Sequence, residues 1–303
     1  MPKTYIVEKD YQNTRFDRWF KKKIISLPQS LIEKIIRLNK VKINRKKAKT
    51  SYRVQSGDIV DVYDITKFKV TDKPKVLKYK PSRSEVNFYD DYIIENNENF
   101  VVINKPAGIA VQSGTKSFKN IIDILKDTKY FENYKPYIVH RLDKETSGIL
   151  IVAKTREYAQ LFTSLFRIRK IHKTYIALTH GKILKSKDIL KDDLIIYDKN
   201  KKIIQKAISY LKVLKSSENY SYIELNPITG RKHQLRKQLY NIGNPIVGDD
   251  KYYMNRKYDK IKKSRNKNLM LHAYKIKFMI NNIQYNFKAK YSNEFEEFIK
   301  RQF

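Results

Sequence analysis

Short apolar runs, cut off by polar breaks, constrain this chain more than any other feature. Phe100-Val101-Val102-Ile103-Asn104 and the stretch from Gly148 to Ala153 are long enough for a buried strand and end where a helix would barely have begun. Tyr175 to Leu178, Ile208 to Val213 and Tyr220 to Leu225 read the same way, and Tyr274 to Phe278 and Gln284 to Ala289 are placed to close the sheet. Between them lie a few helical stripes. Ser117 is placed to cap a helix carrying Ile121, Ile122, Ile124 and Leu125, and Thr155 one carrying Tyr158, Leu161, Phe162, Leu165 and Phe166. Strands broken by a few helices predict an α+β domain over residues 89–303, with a mixed, largely antiparallel sheet flanked by helices. The segments Lys182 to Gln205 and Asn255 to Asn268 lack this order and read as surface insertions.

Residues 1–65 form a smaller unit. Phe16, Trp19 and Phe20 share a helical face, and a second helix opens at Ser30 with a Ser30/Glu33 capping box and a stripe of Leu31, Ile32, Ile35 and Ile36. Val41 to Ile43 and Ile59 to Tyr63 read as strands. Lys34, Arg37, Lys40, Lys42, Arg45, Lys46 and Lys47 fall on the polar positions. Two helices, a small β element, the Arg15-x-Asp17 start, Val41-x-Ile43-Asn44 and Gly57-Asp58 resemble the S4 RNA-binding domain. A solvated basic face on a packing subdomain is the plain alternative. Residues 66–88 hold Pro74, Pro81, Ser82, Ser84 and several lysines and read as a linker.

The charge is lopsided: 65 basic against 31 acidic residues, a net of +34. An AT-rich genome inflates lysine, but it inflates glutamate too, so the surplus points to a polyanionic partner. With no cysteine, disulfides and thiolate metal sites are excluded. The N-terminus lacks the apolar core of a signal peptide, and no stretch approaches the ~20 apolar residues of a membrane span. A soluble, cytoplasmic protein is the expectation.

Two polar clusters carry chemistry. His140-Arg141-Leu142-Asp143-Lys144-Glu145-Thr146-Ser147 sits between two apolar runs, where a rigid scaffold can hold a carboxylate as nucleophile or base. A nearby arginine would favour its charged form. Thr229-Gly230-Arg231-Lys232-His233-Gln234-Leu235-Arg236 follows a strand and opens a helix, a place suited to an anion. The five histidines are scattered, which weakens a metal site, and neither a G-x-S-x-G elbow nor a phosphate-binding G-x-x-x-x-G-K-[ST] loop occurs.

His140 to Gly148 resembles the signature loop of the RluA-type pseudouridine synthases. Lys105-Pro106-Ala107-Gly108-Ile109-Ala110-Val111, Lys173-Thr174-Tyr175, Thr229 to Arg236 and Gly243 to Asp249 resemble further motifs of that family, in family order. With the S4-like start, the similarity is greatest to the branch that modifies large-subunit ribosomal RNA. The resemblance implies isomerisation of uridine with Asp143 as nucleophile and no metal or cofactor. Tyr175 would stack on the uracil and serve in proton removal from C5, and Arg236 would pair with Asp143 and keep it ionised. Leu235 would pack on the base, and Arg141 would fill the gap left by the flipped nucleotide. Arg231 would contact phosphate, Lys105 would take a structural or phosphate-contact role near the pocket, and His233 and His140 would serve as hydrogen-bond partners. It also implies a monomer acting on ribosomal RNA. Gln112 and Lys232 depart from the residues usual in the family, which touches RNA contacts rather than the reaction. Rival readings are the same reaction on transfer RNA, a non-catalytic RNA-binding assembly factor and, more distantly, a glycosidase, which would need a second carboxylate.

Overall fold

The computed structural model describes residues 2–68, 79–113, 118–198, 201–253 and 268–303. The chain divides into two units, Met1–Leu77 and Lys78–Phe303.

In the first unit, β1 (Lys3–Ile6), α1 (Phe16–Lys23), α2 (Gln29–Arg37), β2 (Val41–Ile43), β3 (Lys46–Lys47) and β4 (Ile59–Val62) build a sheet in the order β1-β4-β2-β3. Phe16, Trp19 and Phe20 from α1 meet Ile32, Ile35 and Ile36 from α2 in one buried core with Val41, Val54 and Val60. Asp17 lies inside this core because Arg15 grips it at 3.1 and 2.7 Å and Gln29 donates to it at 2.9 Å. Those bonds outweigh the burial that alone would raise its pKa, leaving it lowered. The expected Ser30/Glu33 box does not form. The helix begins at Gln29, directly after Pro28, with no side-chain cap, so Ser30 is already inside the first turn. Strand β1 went unread, since Lys3-Thr4-Tyr5-Ile6 is mostly exposed and lacks a core-facing alternation. Lys34, Arg37 and Arg45 are exposed, Lys40 and Lys42 half-buried. Asn44 and Arg45 both have positive φ, 47° and 64°, in the two-residue turn joining β2 to β3.

The supposed linker 66–88 is helical at its end. Helix α3 (Arg83–Asp90) starts on a capping box in which Ser82 accepts from the Glu85 amide at 3.3 Å and Glu85 accepts from the Ser82 amide at 3.0 Å. Tyr89 then anchors the helix in the core of the second unit.

The rest of the second unit is β5 (Ile93–Asn96), β6 (Phe100–Lys105), α4 (Ile121–Lys126), β7 (Tyr137–Ile138), β8 (Ser147–Ala153), α5 (Arg156–Arg167), β9 (His172–His180), β10 (Lys187–Asp198), β11 (Lys201–Ser216), β12 (Tyr220–Pro227), α6 (Gln234–Asn241), β13 (Leu271–Ile280), β14 (Ile283–Lys288) and α7 (Asn293–Gln302). Ten strands form one sheet in the order β10-β11-β12-β9-β13-β8-β6-β5, with β14 beside β13 and β7 beside β8. Among these ten strands, pairing is antiparallel except for β8 with β13, which is parallel. The α+β, mixed-sheet expectation therefore holds for this unit.

Three local expectations change. The stretch 182–205 is not an irregular insertion: β10 and most of β11 form a long hairpin in register from Lys187↔Lys212 to Asp198↔Lys201. Its lysines and aspartates masked a strand whose inner positions, Leu190 and Leu194, are buried. Helix α4 is capped by Asn120, which accepts from the Asp123 amide at 3.0 Å, while Ser117 lies outside the described residues. So does all of 255–268 except Asn268. Strand β13 does not close the sheet edge; it is inserted at the centre and joins β9 to β8.

Candidate active site

The parallel junction of β8 and β13 is where the site is built. Gly148 faces Ala273, and Ala273 in turn faces Tyr175 across β9. A Cβ on Gly148 would stand 2.3 Å from the Ala273 carbonyl oxygen, and the residue's φ is +104°, so only glycine lets the strands close here.

Upstream of Gly148, the polar loop is fastened by alternate residues. The His140 Nε2 accepts the Ile151 amide at 2.9 Å while its ring lies 4.6 Å from that of Phe166, and Leu142 is buried in the core. Arg141 and Asp143 stay open to a cleft of about 640 Å³. Burial drives the His140 pKa down to about 3, so its imidazole is neutral and structural.

The cleft gathers Arg141, Asp143, Tyr175, Arg231, His233, Leu235 and Arg236, all expected from sequence. It does not include Lys105. That side chain is fully buried, and its ammonium donates to the carbonyls of Pro106, Ile109 and Lys144 at 2.7, 3.0 and 3.1 Å. Lys105 thus ties its own turn to the Asp143 loop and cannot touch phosphate; burial lowers its pKa to about 7, against the opposing charges of Glu145 and Asp143.

Arg236 also departs from expectation. It makes no ion pair with Asp143. Its guanidinium is held by Asp249 at 2.7 and 2.6 Å and reaches Asp250 at 3.1 Å. Burial opposes its charge, but Asp249, then Asp143 and Asp250, raise its pKa overall. Arg236 sits inside the first turn of α6, which Gln234 and Gln238 bolt to the β10–β11 hairpin. Gln234 accepts from Thr229 at 2.7 Å and donates to Ser209 at 2.9 Å, while Gln238 accepts from Ser209 at 2.7 Å and donates to the Leu190 carbonyl at 3.1 Å. The side chain closest to an ion pair with Asp143 is His233, 3.8 Å away. His233 has a left-handed backbone (φ 54°) and shares a 3.0 Å hydrogen bond with Tyr252. Burial lowers its pKa despite Asp143, so at neutral pH it is a neutral neighbour.

Tyr175 forms the floor. Burial, with the charge of Asp143, raises its pKa well above that of an ordinary phenol, which keeps it protonated. Arg231 donates to the Lys206 carbonyl at 3.2 Å, tethering its loop to the hairpin.

Sequence reasoning missed Arg167 and Arg169 at the end of α5, Lys173 as a lining group, and Asp249 as the partner of Arg236. Lys173 was legible, since it lies two residues before Tyr175 on a strand and so shares its face. Asp143 is the sole carboxylate among the described lining residues, against six arginines and lysines. No cluster of three His, Asp or Glu among the described residues is placed to hold a metal. One carboxylate, an aromatic ring and six cations lining one cleft define a site for a polyanionic substrate.

Comparison with known proteins sharpens this. The RNA pseudouridylate synthase model matches residues 99–241. The ribosomal large subunit pseudouridine synthase C of Rickettsia felis is 37% identical over 258 residues, 79% of this chain and 82% of that one. Its namesake from Buchnera aphidicola subsp. Baizongia pistaciae is 34% identical over 284 residues, 90% of this chain and 88% of that one. Among solved structures, human RNA Pseudouridylate Synthase Domain Containing 4 aligns with a TM-score of 0.61 at 27% identity, covering 71% of this chain and 94% of that one. The chain belongs to the RNA pseudouridylate synthase family and is an isomerase.

Proposed function

We propose that this enzyme converts specific uridines of large-subunit ribosomal RNA to pseudouridine in the cytoplasm, as a monomer, with Asp143 as nucleophile and no metal or cofactor. The observation that carries the reading is the position of Asp143: the sole carboxylate among the described lining residues, on a loop pinned by His140 and Leu142, beside the Tyr175 ring. The substrate follows from the relatives, which are named for the large ribosomal subunit. Among the described residues, no helix is long and apolar enough to cross a membrane.

The chemistry balances within one nucleotide. The bond from C1′ to N1 breaks, the uracil turns while held on Tyr175, and C5 bonds to C1′; C5 then loses its proton and N1 gains one. Asp143 attacks either the sugar, where it is displaced again when C5 bonds to C1′, or the base, from which it is expelled once that bond has formed, so the free carboxylate returns. Leu235 packs on the uracil and Arg141 enters the stack that the nucleotide leaves, offsetting part of the unstacking energy. With its raised pKa, Tyr175 acts as a platform and donor; a phenolate able to take the C5 proton would be scarce at neutral pH.

The first unit acts as an S4-like RNA-binding module, with Lys34, Arg37, Lys40, Lys42 and Arg45 on backbone phosphates, positioning without reading sequence. Mapping pseudouridine across cellular RNA with and without the gene tests the whole reading. Loss of sites in large-subunit RNA is expected; loss confined to transfer RNA would move the substrate, and no loss anywhere would remove the reaction.

A further inference from the structure

Three cations of the cleft have no role in the chemistry above. Arg167 and Arg169 flank the end of α5, and Lys173 lies on β9 on the same face as Tyr175, about 7 Å along the strand. None of them belongs to an ion pair formed among the described residues. We propose that Arg167, Arg169 and Lys173 form a seat for one backbone phosphate of the RNA strand, next to the target nucleotide on the side away from Asp143. The inference rests on RNA being the substrate and adds where its backbone is gripped.

The backbone at Arg169 points to function. Helix α5 ends in a Schellman turn: the Lys170 amide donates to the Leu165 carbonyl at 2.9 Å and the Arg169 amide to that of Phe166 at 3.3 Å. Such a turn needs a left-handed residue and favours glycine, yet Arg169 occupies it with φ 62°. Bulky residues held there mark sites where the side chain earns its place. The helix C-terminus attracts cations and would account for Arg167 alone. It accounts neither for an arginine in the glycine position nor for Lys173.

Lys173 is a half-buried lysine with no carboxylate against it, and burial alone lowers its pKa. A buried, unmatched charge destabilises a fold unless an anion arrives to complete it. Asp143 acts on Tyr175, His233 and Arg236, while the nearest titrating group to feel Lys173 is His140. Asp143 and Lys173 therefore bear on different members of the cleft. Uracil is neutral and offers only carbonyls and an N–H; three unpaired cations lining the same cleft match a phosphate instead.

The test separates binding from folding. Arg169→Gly removes the cation and relieves the left-handed strain, and Lys173→Met removes a half-buried charge at similar volume. Both full-length variants are expected to melt no lower than the wild type. Both should bind an unmodified large-subunit ribosomal RNA transcript more weakly, with the slope of log affinity against log salt shallower by roughly 1 each. Lys173→Arg should restore the slope. Unchanged affinity and slope would overturn the seat, as would weaker binding that merely tracks a lower melting temperature. Wild-type protein that binds this transcript with the steep slope but makes no pseudouridine would overturn the substrate reading alone, with the seat judged by the variants' slopes.

Discussion

Arg236 and Asp249 form a two-pronged, buried ion pair at 2.7 and 2.6 Å, and it is this pair, rather than a bond to Asp143, that holds the arginine in the cleft. The oxygens of Asp249 also accept the amides of Lys251 and Tyr252, both at 2.9 Å, so the carboxylate is spent on positioning. Arg236 feels the charge of Asp143 through space, and no hydrogen bond ties the Asp143 carboxylate among the described residues.

The pair gives a first prediction. Asp249→Asn leaves the guanidinium buried with a neutral partner, which should destabilise the fold by roughly 3–5 kcal/mol, the scale for breaking a buried pair. Denaturant unfolding measures it; a loss below about 1 kcal/mol would mean that the Asp250 contact suffices to hold Arg236.

Asp143→Asn keeps the size of the side chain and its hydrogen-bonding reach but removes the nucleophile. Pseudouridine formation should disappear while RNA affinity changes little, because Asp143 is the lone negative group among the described lining residues and its charge repels phosphate. A tritium-release or mass-based assay for pseudouridine, run beside a filter-binding titration, decides it. Turnover retained at even a hundredth of the wild-type rate would exclude the nucleophile role.

Gly148→Ala should be among the most damaging single-methyl changes in the protein. The new Cβ meets the Ala273 backbone at 2.3 Å and the backbone sits at φ +104°, so the parallel junction must open. A loss on the order of 3 kcal/mol follows from strain and overpacking together. A Tm within a degree or two of the wild type would show that β8 and β13 can separate cheaply.

Acid should destabilise the fold before carboxylates titrate. His272 is buried and His140 half-buried, and desolvation lowers their pKa values to about 4 and about 3. In the unfolded chain they take up protons near pH 6.5, in the folded chain only near 3 to 4. Between those limits the unfolded state holds more protons, so stability falls as pH drops, by about 1.4 kcal/mol per pH unit for each histidine. Above pH 6.5 both are neutral in either state and their contribution is flat. Urea unfolding at pH 7, 6 and 5 reads this slope, and His272→Gln should flatten part of it.

The motif residues themselves were legible. Asp143, Tyr175 and Arg236 stand at recognisable places in a one-dimensional pattern, and strands such as β8 and β12 announce themselves by continuous or alternating apolar positions. The hairpin β10–β11 was not legible, because its outer positions carry lysine and aspartate and its single buried row is short of strand-like contrast. Helix α3 was overlooked for lack of an apolar stripe, although Ser82 and Glu85 spell out a capping box. The role of Lys105 could not be read from sequence, since a lysine after a strand is ordinarily wet; only three backbone carbonyls converging on one point make a dry one tenable.

The sequence by itself determined the α+β class, the family and the identity of the carboxylate, because apolar period, motif order and residue type are properties of the chain. The tertiary structure alone decided which charges meet. It gave Arg236 to Asp249, sealed Lys105 away, placed β13 between β9 and β8, and left Arg167, Arg169 and Lys173 facing an open cleft. Ion pairing falls off within a few ångströms and depends on burial, and neither distance nor burial is written in residue order.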